Sequence, residues 1–345
     1  MRWLTDKVYD LIIYHYSLKK IVSHLLKSPF LVKNPFYTRL YKNLITKKMK
    51  KYEKIPFRVM IENTNICHAN CTFCPHYKMK RSTGVMNFPL FKNIIDKCTL
   101  SGIDYVTIYG FGEPLLDPEF TEKVRYTKSQ GIKRVTTNTN AYYLDEKKSR
   151  EILESGLDEI YISLDAVTHE TYKKVRPNLD FKRVEDNIKR FLKMRDAKRQ
   201  NKPIVILSYV ESRFNRNETR QFLSQWRNLV DGISISLIHN WTGDIKYTAH
   251  HIKQNNLKKF KRDPCRLLWT DMVISWNGDV PLCCNDYENR IVLGNVKEQS
   301  ISEIWGGDKL EKIRQWHINS NFEKISICKE CEYNYHHKSP WWVSK

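Results

Sequence analysis

The sequence predicts an α/β protein built on a parallel, barrel-like sheet of six strands. From Phe57 onward, short runs rich in β-branched residues alternate with longer amphipathic segments, which is the pattern of repeated βα units. The 345 residues are 41% hydrophobic, which suffices for a sizeable core and excludes disorder of the whole chain. Because a parallel barrel presents its functional loops at the carboxyl ends of its strands, the residues that follow each strand are the first candidates for a site.

The expected strands and helices alternate through a main unit at residues 55–245. The strands are expected at residues 57–61, 105–109, 134–137, 159–164, 204–210 and 232–237. The helices between them are expected at residues 88–101, 118–130, 146–155, 181–198 and 216–230.

Residues 1–54 are predicted to form a basic helical extension. Apolar residues such as Trp3, Val8 and Leu11 recur near the helical period, and the polar face between them is rich in lysine. We expect this helix to pack on the main unit. A helix that docks on a membrane surface or on a partner protein is the alternative.

Residues 246–345 are predicted to form a second, small unit. The alternation stops near Lys246, and the Asn277-Gly278 turn separates two short apolar runs in the manner of a β-hairpin. A helix is expected near residues 301–316. This unit has few hydrophobic residues, so something other than a core must hold it together.

The formal net charge of +21 invites an anionic partner, since 59 Lys and Arg face 38 Asp and Glu. Residues 1–54 carry 13 of those cations against three carboxylates, whereas the remaining excess is spread over a mixed surface. That distribution disfavours a nucleic-acid groove. No apolar stretch reaches the roughly 18 residues of a membrane span, and no secretory signal opens the chain. We therefore expect a cytoplasmic protein, whose nine cysteines favour metal ligation over disulfides.

Cys67, Cys71 and Cys74 directly follow the first predicted strand with the spacing C-x3-C-x2-C. Three thiolates so close together can bind three irons of a cubane cluster and leave the fourth iron open to an external ligand. A structural zinc site with His68 or His76 as the fourth ligand is the alternative.

This loop, with Phe73 before the last cysteine, resembles the radical S-adenosylmethionine (SAM) superfamily. The resemblance implies a partial (β/α)6 barrel of the TIM type and a [4Fe–4S] cluster whose open iron chelates SAM. It further implies reductive cleavage of SAM to methionine and a 5′-deoxyadenosyl radical, which abstracts a hydrogen from the substrate.

The resemblance also implies further SAM contacts at the ends of the strands. Tyr109-Gly110-Phe111-Gly112-Glu113 is similar to the family's Gly-Gly-Glu segment, with Phe111 departing from the first glycine, and Glu113 is expected to bind the methionyl ammonium. Ala141 replaces the glycine of the family's Thr-Asn-Gly turn. The residues expected to contact SAM are Phe73, Gly112, Glu113, Asn140, Ser163, Asp165 and Arg176.

A second cysteine group lies in the small unit. The spacing of Cys265, Cys283, Cys328 and Cys331 resembles the SPASM/twitch extension of radical SAM enzymes, in which such cysteines bind an auxiliary [4Fe–4S] cluster. Either Cys283 or its neighbour Cys284 can be the ligand, and the hairpin register favours Cys283. Too few cysteines remain for a second auxiliary cluster, because Cys98 is expected in the core, so the shorter twitch form with one cluster is the better match. A tetrahedral zinc site is the alternative.

The function implied is that of a radical SAM oxidoreductase, a dehydrogenase or an epimerase acting on a sugar- or cyclitol-like small molecule. An external one-electron reductant such as flavodoxin or ferredoxin would be its partner. Glu211, His239 and Trp241, which follow the last two strands, are candidates to face the substrate. The alternatives are a SPASM-type maturase of ribosomally made peptides, an RNA-modifying radical SAM enzyme, and a zinc-stapled basic binding protein without catalysis.

Overall fold

The chain is described by a computed structural model that covers residues 35–238, 240–244 and 262–333. At its centre lies a seven-stranded sheet in the order β6-β5-β4-β3-β2-β1-β7, in which every neighbouring pair is parallel. The strands are β1 Arg58–Ile61, β2 Tyr105–Ile108, β3 Arg134–Thr139, β4 Glu159–Ser163, β5 Ile204–Glu211, β6 Gly232–Leu237 and β7 Asp271–Ile274. The predicted α/β fold, a partial barrel, is confirmed.

Helices follow the strands as the sequence pattern predicts. Those of the main unit are Phe88–Leu100, Phe120–Ser129, Glu146–Leu153, His169–Val175, Phe181–Ala197 and Thr219–Trp226. Side-chain caps fix where several of them begin: Asn87, Asp145 and Asp180 each accept a hydrogen bond from a backbone N–H in the first turn. The apolar faces of these helices pack against the strand residues that face them, outside the barrel interior. Together they form one continuous core.

The bottom of the barrel is closed by charged and aromatic side chains at the starts of the strands. Arg58 pairs with Asp271, and Arg134 pairs with Glu159 at 2.7 Å. Both guanidinium groups lie over the ring of Tyr105, at 5.6 Å and 4.6 Å from its centroid. This layer leaves the opposite, carboxyl end of the sheet as the place for a site.

The seventh strand comes from the part of the chain that the sequence analysis assigns to the second unit. The sequence predicts a hairpin between residues 272–275 and 280–282. Its turn is present, with the N–H of Ser275 donating to the carbonyl of Asp279 at 2.8 Å, but the two runs form no ladder with each other. Strand β7 instead adds to β1 in parallel register, with Val59 opposite Met272 and Ile61 opposite Ile274. The reason is burial: all four residues of β7 are buried, which suits an interior strand of a parallel sheet and not an exposed hairpin.

The C-terminal unit contains the antiparallel pair β8 Asp279–Pro281 and β9 Val292–Asn295, with the Asn277-Gly278 turn between β7 and β8. Its helices are Leu267–Thr270, Ile301–Trp305, Asp308–Ile318 and Ser326–Lys329. The expected helix near residues 301–316 is therefore two helices.

The described part of the N-terminal extension is the helix Pro35–Tyr52. It buries Ile45 and Tyr52, and the indole of Trp305 donates a hydrogen bond of 2.9 Å to the carbonyl of Tyr52. This helix thus packs on the C-terminal unit. Residues 1–34 lie outside the described residues. Within the described ranges, no helix has the length and apolar character needed to cross a membrane.

Candidate active site

The loop that carries Cys67, Cys71 and Cys74 lies at the carboxyl end of β1 and borders a cavity of about 410 Å3. Asn65 fixes the start of the loop to residues 82–84. The side chain of Asn65 accepts from the N–H of Gly84 at 2.8 Å and donates to the carbonyl of Ser82 at 2.9 Å. All three thiols line the same cavity.

The three thiols suit an iron–sulfur cluster. They form no disulfide, and burial raises the pKa of Cys67 and of Cys74 to about 12, so an empty pocket would hold them as neutral thiols. Among the described residues, no three His, Cys, Asp or Glu side chains are close enough to share a single metal ion. A cubane cluster does not need that convergence, because each thiolate binds a different iron.

Glu113 is buried at the same end of the barrel. Its carboxylate accepts hydrogen bonds from the Thr139 hydroxyl at 2.6 Å and from the backbone N–H of Asn140 at 2.8 Å. Burial nevertheless raises its pKa above the ordinary value for glutamate, with those hydrogen bonds opposing the shift. Glu113 forms no ion pair with any described residue, so its charge is available to a cationic group in the cavity.

Gly112 permits the close approach that places Glu113. A Cβ at this position would lie 2.3 Å from the carbonyl oxygen of Thr64, so no side chain fits there. The backbone N–H of Glu113 then donates to the carbonyl of Ile66 at 2.9 Å, next to Cys67. Asn140 and Ser163 also line the cavity. Ala141 adopts a φ of 59°, the left-handed conformation for which the family uses glycine.

Arg176 connects the end of β4 to the cysteine loop. Its Nε donates to Asp165 at 2.6 Å, its Nη1 lies 3.3 Å from the Sγ of Cys71, and its guanidinium lies over the ring of Phe73 at 5.5 Å. Asp165 is fully buried and also accepts from the N–H of Val210 at 2.6 Å. Asp165 therefore orients Arg176 from behind the cavity, while Phe73 and Arg176 line it.

The second cysteine group surrounds a small cavity of about 20 Å3, bordered by Cys265, Cys283, Cys328 and Cys331. Cys284 does not border it and lines the large cavity instead. Cys283 borders both cavities. Four free thiols around one small cavity suit a fully ligated cluster, and Cys283 is the member of the adjacent pair that faces it.

His317 shares the small cavity with these cysteines, and the sequence analysis missed it. Its side chain is 1% exposed, and its Nδ1 accepts a hydrogen bond of 3.2 Å from the backbone N–H of Cys265. Burial and the nearby Arg262 lower its pKa to about 3, so the ring is neutral. A lone histidine on an amphipathic helix gives no sequence signal of such a position.

The candidates for substrate contact differ in where the structure places them. Trp241 lines the large cavity, its indole donates to the carbonyl of Phe73 at 2.7 Å, and its ring lies 5.5 Å from that of Phe111. Glu211 accepts from the Thr219 hydroxyl at 3.1 Å and borders neither described cavity. His239 lies outside the described residues.

Several cavity residues went unpredicted because they lie within a strand or directly after it. Their common feature is the alternation of inward-facing positions, which turns every second residue of β1 and β7, and the residue that follows β1, β2 or β7, towards the cavity. The residues concerned are Arg58, Met60, Glu62, Tyr109, Val273 and Ser275.

Two family models match the chain in the regions of the two cysteine groups. The radical SAM superfamily matches residues 61–211, and the SPASM iron–sulfur cluster-binding domain matches residues 265–332. The chain thus carries a radical SAM domain followed by a SPASM domain. As a radical SAM enzyme with a SPASM domain, it uses SAM, a [4Fe–4S] cluster and an auxiliary iron–sulfur cluster as cofactors.

Relatives of this radical SAM protein align over most of its length. It is 24% identical over 311 residues to a tungsten-containing aldehyde ferredoxin oxidoreductase cofactor-modifying protein of Pyrococcus furiosus, covering 79% of this chain and 86% of that one. It is 22% identical over 284 residues to the S-adenosyl-L-methionine-dependent 2-deoxy-scyllo-inosamine dehydrogenase of Niallia circulans, covering 81% and 94%.

Among solved structures, Streptococcus suis SuiB bound to its precursor peptide SuiA superposes with a TM-score of 0.64 at 16% identity, covering 88% of this chain and 78% of that one. This likeness supports the shared fold.

Proposed function

We propose that this radical SAM enzyme removes a hydrogen atom from a sugar- or cyclitol-like small molecule and oxidises it with the help of one auxiliary cluster. The observation that carries the proposal is the position of Cys283, which borders both the large cavity and the small four-cysteine cavity. A substrate in the large cavity therefore lies next to both cysteine groups. That arrangement suits a reaction with one hydrogen abstraction and one electron transfer.

Cys67, Cys71 and Cys74 would hold the cluster that binds SAM, and Cys265, Cys283, Cys328 and Cys331 the auxiliary cluster. When bound, SAM and its cluster supply the 5′-deoxyadenosyl radical, for which a reductant such as flavodoxin or ferredoxin would donate the electron. The chain's own contribution is orientation and exclusion of water.

Glu113 would accept the SAM ammonium, because it is the buried carboxylate of the cavity without an ion-pair partner among the described residues. Gly112 keeps that carboxylate close to the cysteine loop. Asn140 and Ser163 would hydrogen-bond the ribose or the carboxylate of SAM, and Phe73 with Arg176 would form the wall beside them.

The rest of the cavity favours a neutral, hydroxyl-rich substrate. The large cavity as a whole, at about 410 Å3, is in the volume range of small-molecule sites. The arginines that line it are already paired with carboxylates, as Arg81 is with Glu62 at 2.6 Å and Arg58 is with Asp271. The neutral hydrogen-bonding side chains along the cavity include Tyr109, Asn138, Ser275, Asn285 and Asn289. The similarity to a cyclitol dehydrogenase points the same way.

The decisive experiment measures 5′-deoxyadenosine formed from SAM by the anaerobically reconstituted protein with dithionite. Cys71→Ala should abolish the product, whereas Cys98→Ala, a change at a buried cysteine that borders neither cavity, should leave it unchanged. Undiminished release from Cys71→Ala, or a protein that contains zinc and no iron, would overturn the proposal.

The role of the auxiliary cluster needs a separate measurement. A double change of Cys328 and Cys331 to alanine should preserve SAM cleavage but abolish substrate oxidation. Deuterated cyclitols and aminocyclitols should transfer deuterium to 5′-deoxyadenosine. A product that is not oxidised but has gained a hydrogen from solvent would identify an epimerase. Deuterium transfer to 5′-deoxyadenosine from a labelled peptide, and from no cyclitol, would identify a peptide maturase.

A further inference from the structure

We propose that His317 donates a hydrogen bond from its Nε2 to the auxiliary cluster and thereby raises the reduction potential of that cluster. The inference rests on the proposed function for the presence of the cluster. It concerns a residue on the helix Asp308–Ile318, outside the cysteine motif, and follows from the geometry of the small cavity.

The tautomer of His317 follows from one contact. The backbone N–H of Cys265 can only donate, so the Nδ1 that lies 3.2 Å from it must accept. Nδ1 therefore carries no proton. In a neutral imidazole the other nitrogen then carries it, so Nε2 is an N–H donor.

That donor has no acceptor among the residues that the structure describes. Nε2 is buried and has no hydrogen-bond partner in the described part of the chain. A buried polar group without a partner costs about 1 to 3 kcal/mol, which a folded protein rarely leaves uncompensated. The residues around the small cavity offer no carbonyl or carboxylate to this nitrogen, but four of them are the cysteines of the cluster site. Sulfur of the bound cluster is the acceptor that would satisfy it.

The surroundings fix the ring in this orientation. The ring of Phe322 meets His317 edge to face, with centroids 5.0 Å apart, and the guanidinium of Arg262 lies over Phe322 at 4.2 Å. Arg262 also donates to the carbonyls of Lys329 and Cys331, both at 3.2 Å. Phe322 and Arg262 therefore hold both the histidine ring and the loop that carries Cys328 and Cys331.

A hydrogen bond to a cluster sulfur stabilises the more negative, reduced state and so raises the potential. If the bond is worth about 1 kcal/mol more in the reduced state, the reduction equilibrium changes about fivefold, or about 40 mV for one electron. An auxiliary cluster that accepts an electron from a substrate radical benefits from this shift. His317 is thus a positioning and tuning residue and does not touch the substrate.

The test is potentiometric titration of the reconstituted protein followed by electron paramagnetic resonance. His317→Phe should lower the potential of the auxiliary cluster by the stated amount, with the potential of the three-cysteine cluster unchanged. His317→Gln, which retains a side-chain N–H, should restore most of the shift. Phe322→Leu is the matched control, because it removes the ring contact and leaves the donor.

Pulsed spectroscopy of the unsubstituted protein with 15N-labelled histidine keeps the proposal testable if the phenylalanine variant loses its cluster. A weak nitrogen coupling to the reduced auxiliary cluster is expected. A strong coupling would show that His317 is a direct iron ligand, and the absence of coupling would show that its ring does not contact the cluster. Either result overturns the proposal. An unchanged reduction potential in His317→Phe overturns it as well. Iron and sulfide analysis of the unsubstituted protein separates this outcome from failure of the proposed function, since two clusters must be present for the comparison.

Discussion

Cys283 and Cys284 are consecutive in the chain, yet Cys283 borders the small four-cysteine cavity and Cys284 borders only the large one. Burial raises the pKa of Cys284 to about 11, with Arg58 opposing the shift. Adjacent cysteines are thus directed to different sites by the backbone that follows β8.

This division predicts different outcomes for two single substitutions. Cys283→Ala should lose the auxiliary cluster, which would halve the iron and sulfide content, because a ligand is removed. Cys284→Ala should retain both clusters. Metal and sulfide analysis after anaerobic reconstitution measures the difference, and a loss of iron in Cys284→Ala alone would reverse the assignment.

SAM binding should depend on pH through Glu113. Because burial raises the pKa of this carboxyl, it becomes protonated at a higher pH than an ordinary glutamate, and a protonated carboxyl cannot pair with an ammonium group. SAM affinity should therefore fall as the pH falls through the raised pKa. Isothermal titration calorimetry between pH 5 and pH 8 would show it, without reductant.

The matched variant for that measurement is Glu113→Gln. It should weaken SAM binding by about 10- to 100-fold at neutral pH, since a charge-assisted hydrogen bond is lost. It should also remove most of the pH dependence. An affinity that rises on acidification in the unsubstituted protein would contradict the role of Glu113.

Arg176 should tune the three-cysteine cluster. Its planar guanidinium group donates to Asp165 and also contacts the Sγ of Cys71. A lysine ammonium cannot make both contacts in that geometry. Arg176→Lys is therefore expected to lower the potential of this cluster and leave the auxiliary cluster unchanged. The control is Arg183→Lys, because Arg183 lies over the ring of Tyr142 at 4.2 Å, donates to the carbonyl of Tyr142 at 3.1 Å and does not line the large cavity. Equal potentials in the two variants would argue against the sulfur contact.

The buried pair of Lys123 and Asp117 should control stability. Nζ lies 2.7 Å from the carboxylate, and both side chains are 0% exposed. Lys123→Met leaves the carboxylate buried without its cation and should cost about 3 to 5 kcal/mol in the free energy of unfolding. The exposed pair of Lys133 and Asp104 is the comparison, and Lys133→Met should change stability by less than about 1 kcal/mol. Denaturant unfolding measures both.

The sequence predicted the six strands of the main unit closely because each is a short β-branched run, and several are followed by a helix with a side-chain cap, as Asp180 caps Phe181–Ala197. Such signals are local. The spacing of Cys67, Cys71 and Cys74 is local too, whereas Cys265 and Cys331 lie far apart in the chain, and that group was found through its resemblance to the SPASM/twitch extension.

Features that depend on distant partners were missed. The run Asp271–Ile274 looks the same in sequence whether it pairs with β8 or with β1, because only burial on both faces distinguishes the two. His317 is similar: its helix brings it to Cys265 from 52 positions away, and nothing in the intervening residues marks that approach. The inward positions of Arg58 and Glu62 required the strand register.

Strand β7 also bears on how this protein can be recombined with its relatives. A chimera joined near residue 246 would exchange a strand of the donor's barrel along with the auxiliary module, so the grafted piece must fit β1 of the recipient as well as its own cysteine site. If donor and recipient have different residues at the positions of Val59 or Met272, we expect the chimera to express poorly because β1 and β7 pack badly, whether or not its clusters are formed. A junction after Ile274 keeps the recipient's sheet whole, and the inherited unit would bring Cys283, Cys328 and Cys331 while the host supplies the residue at Cys265.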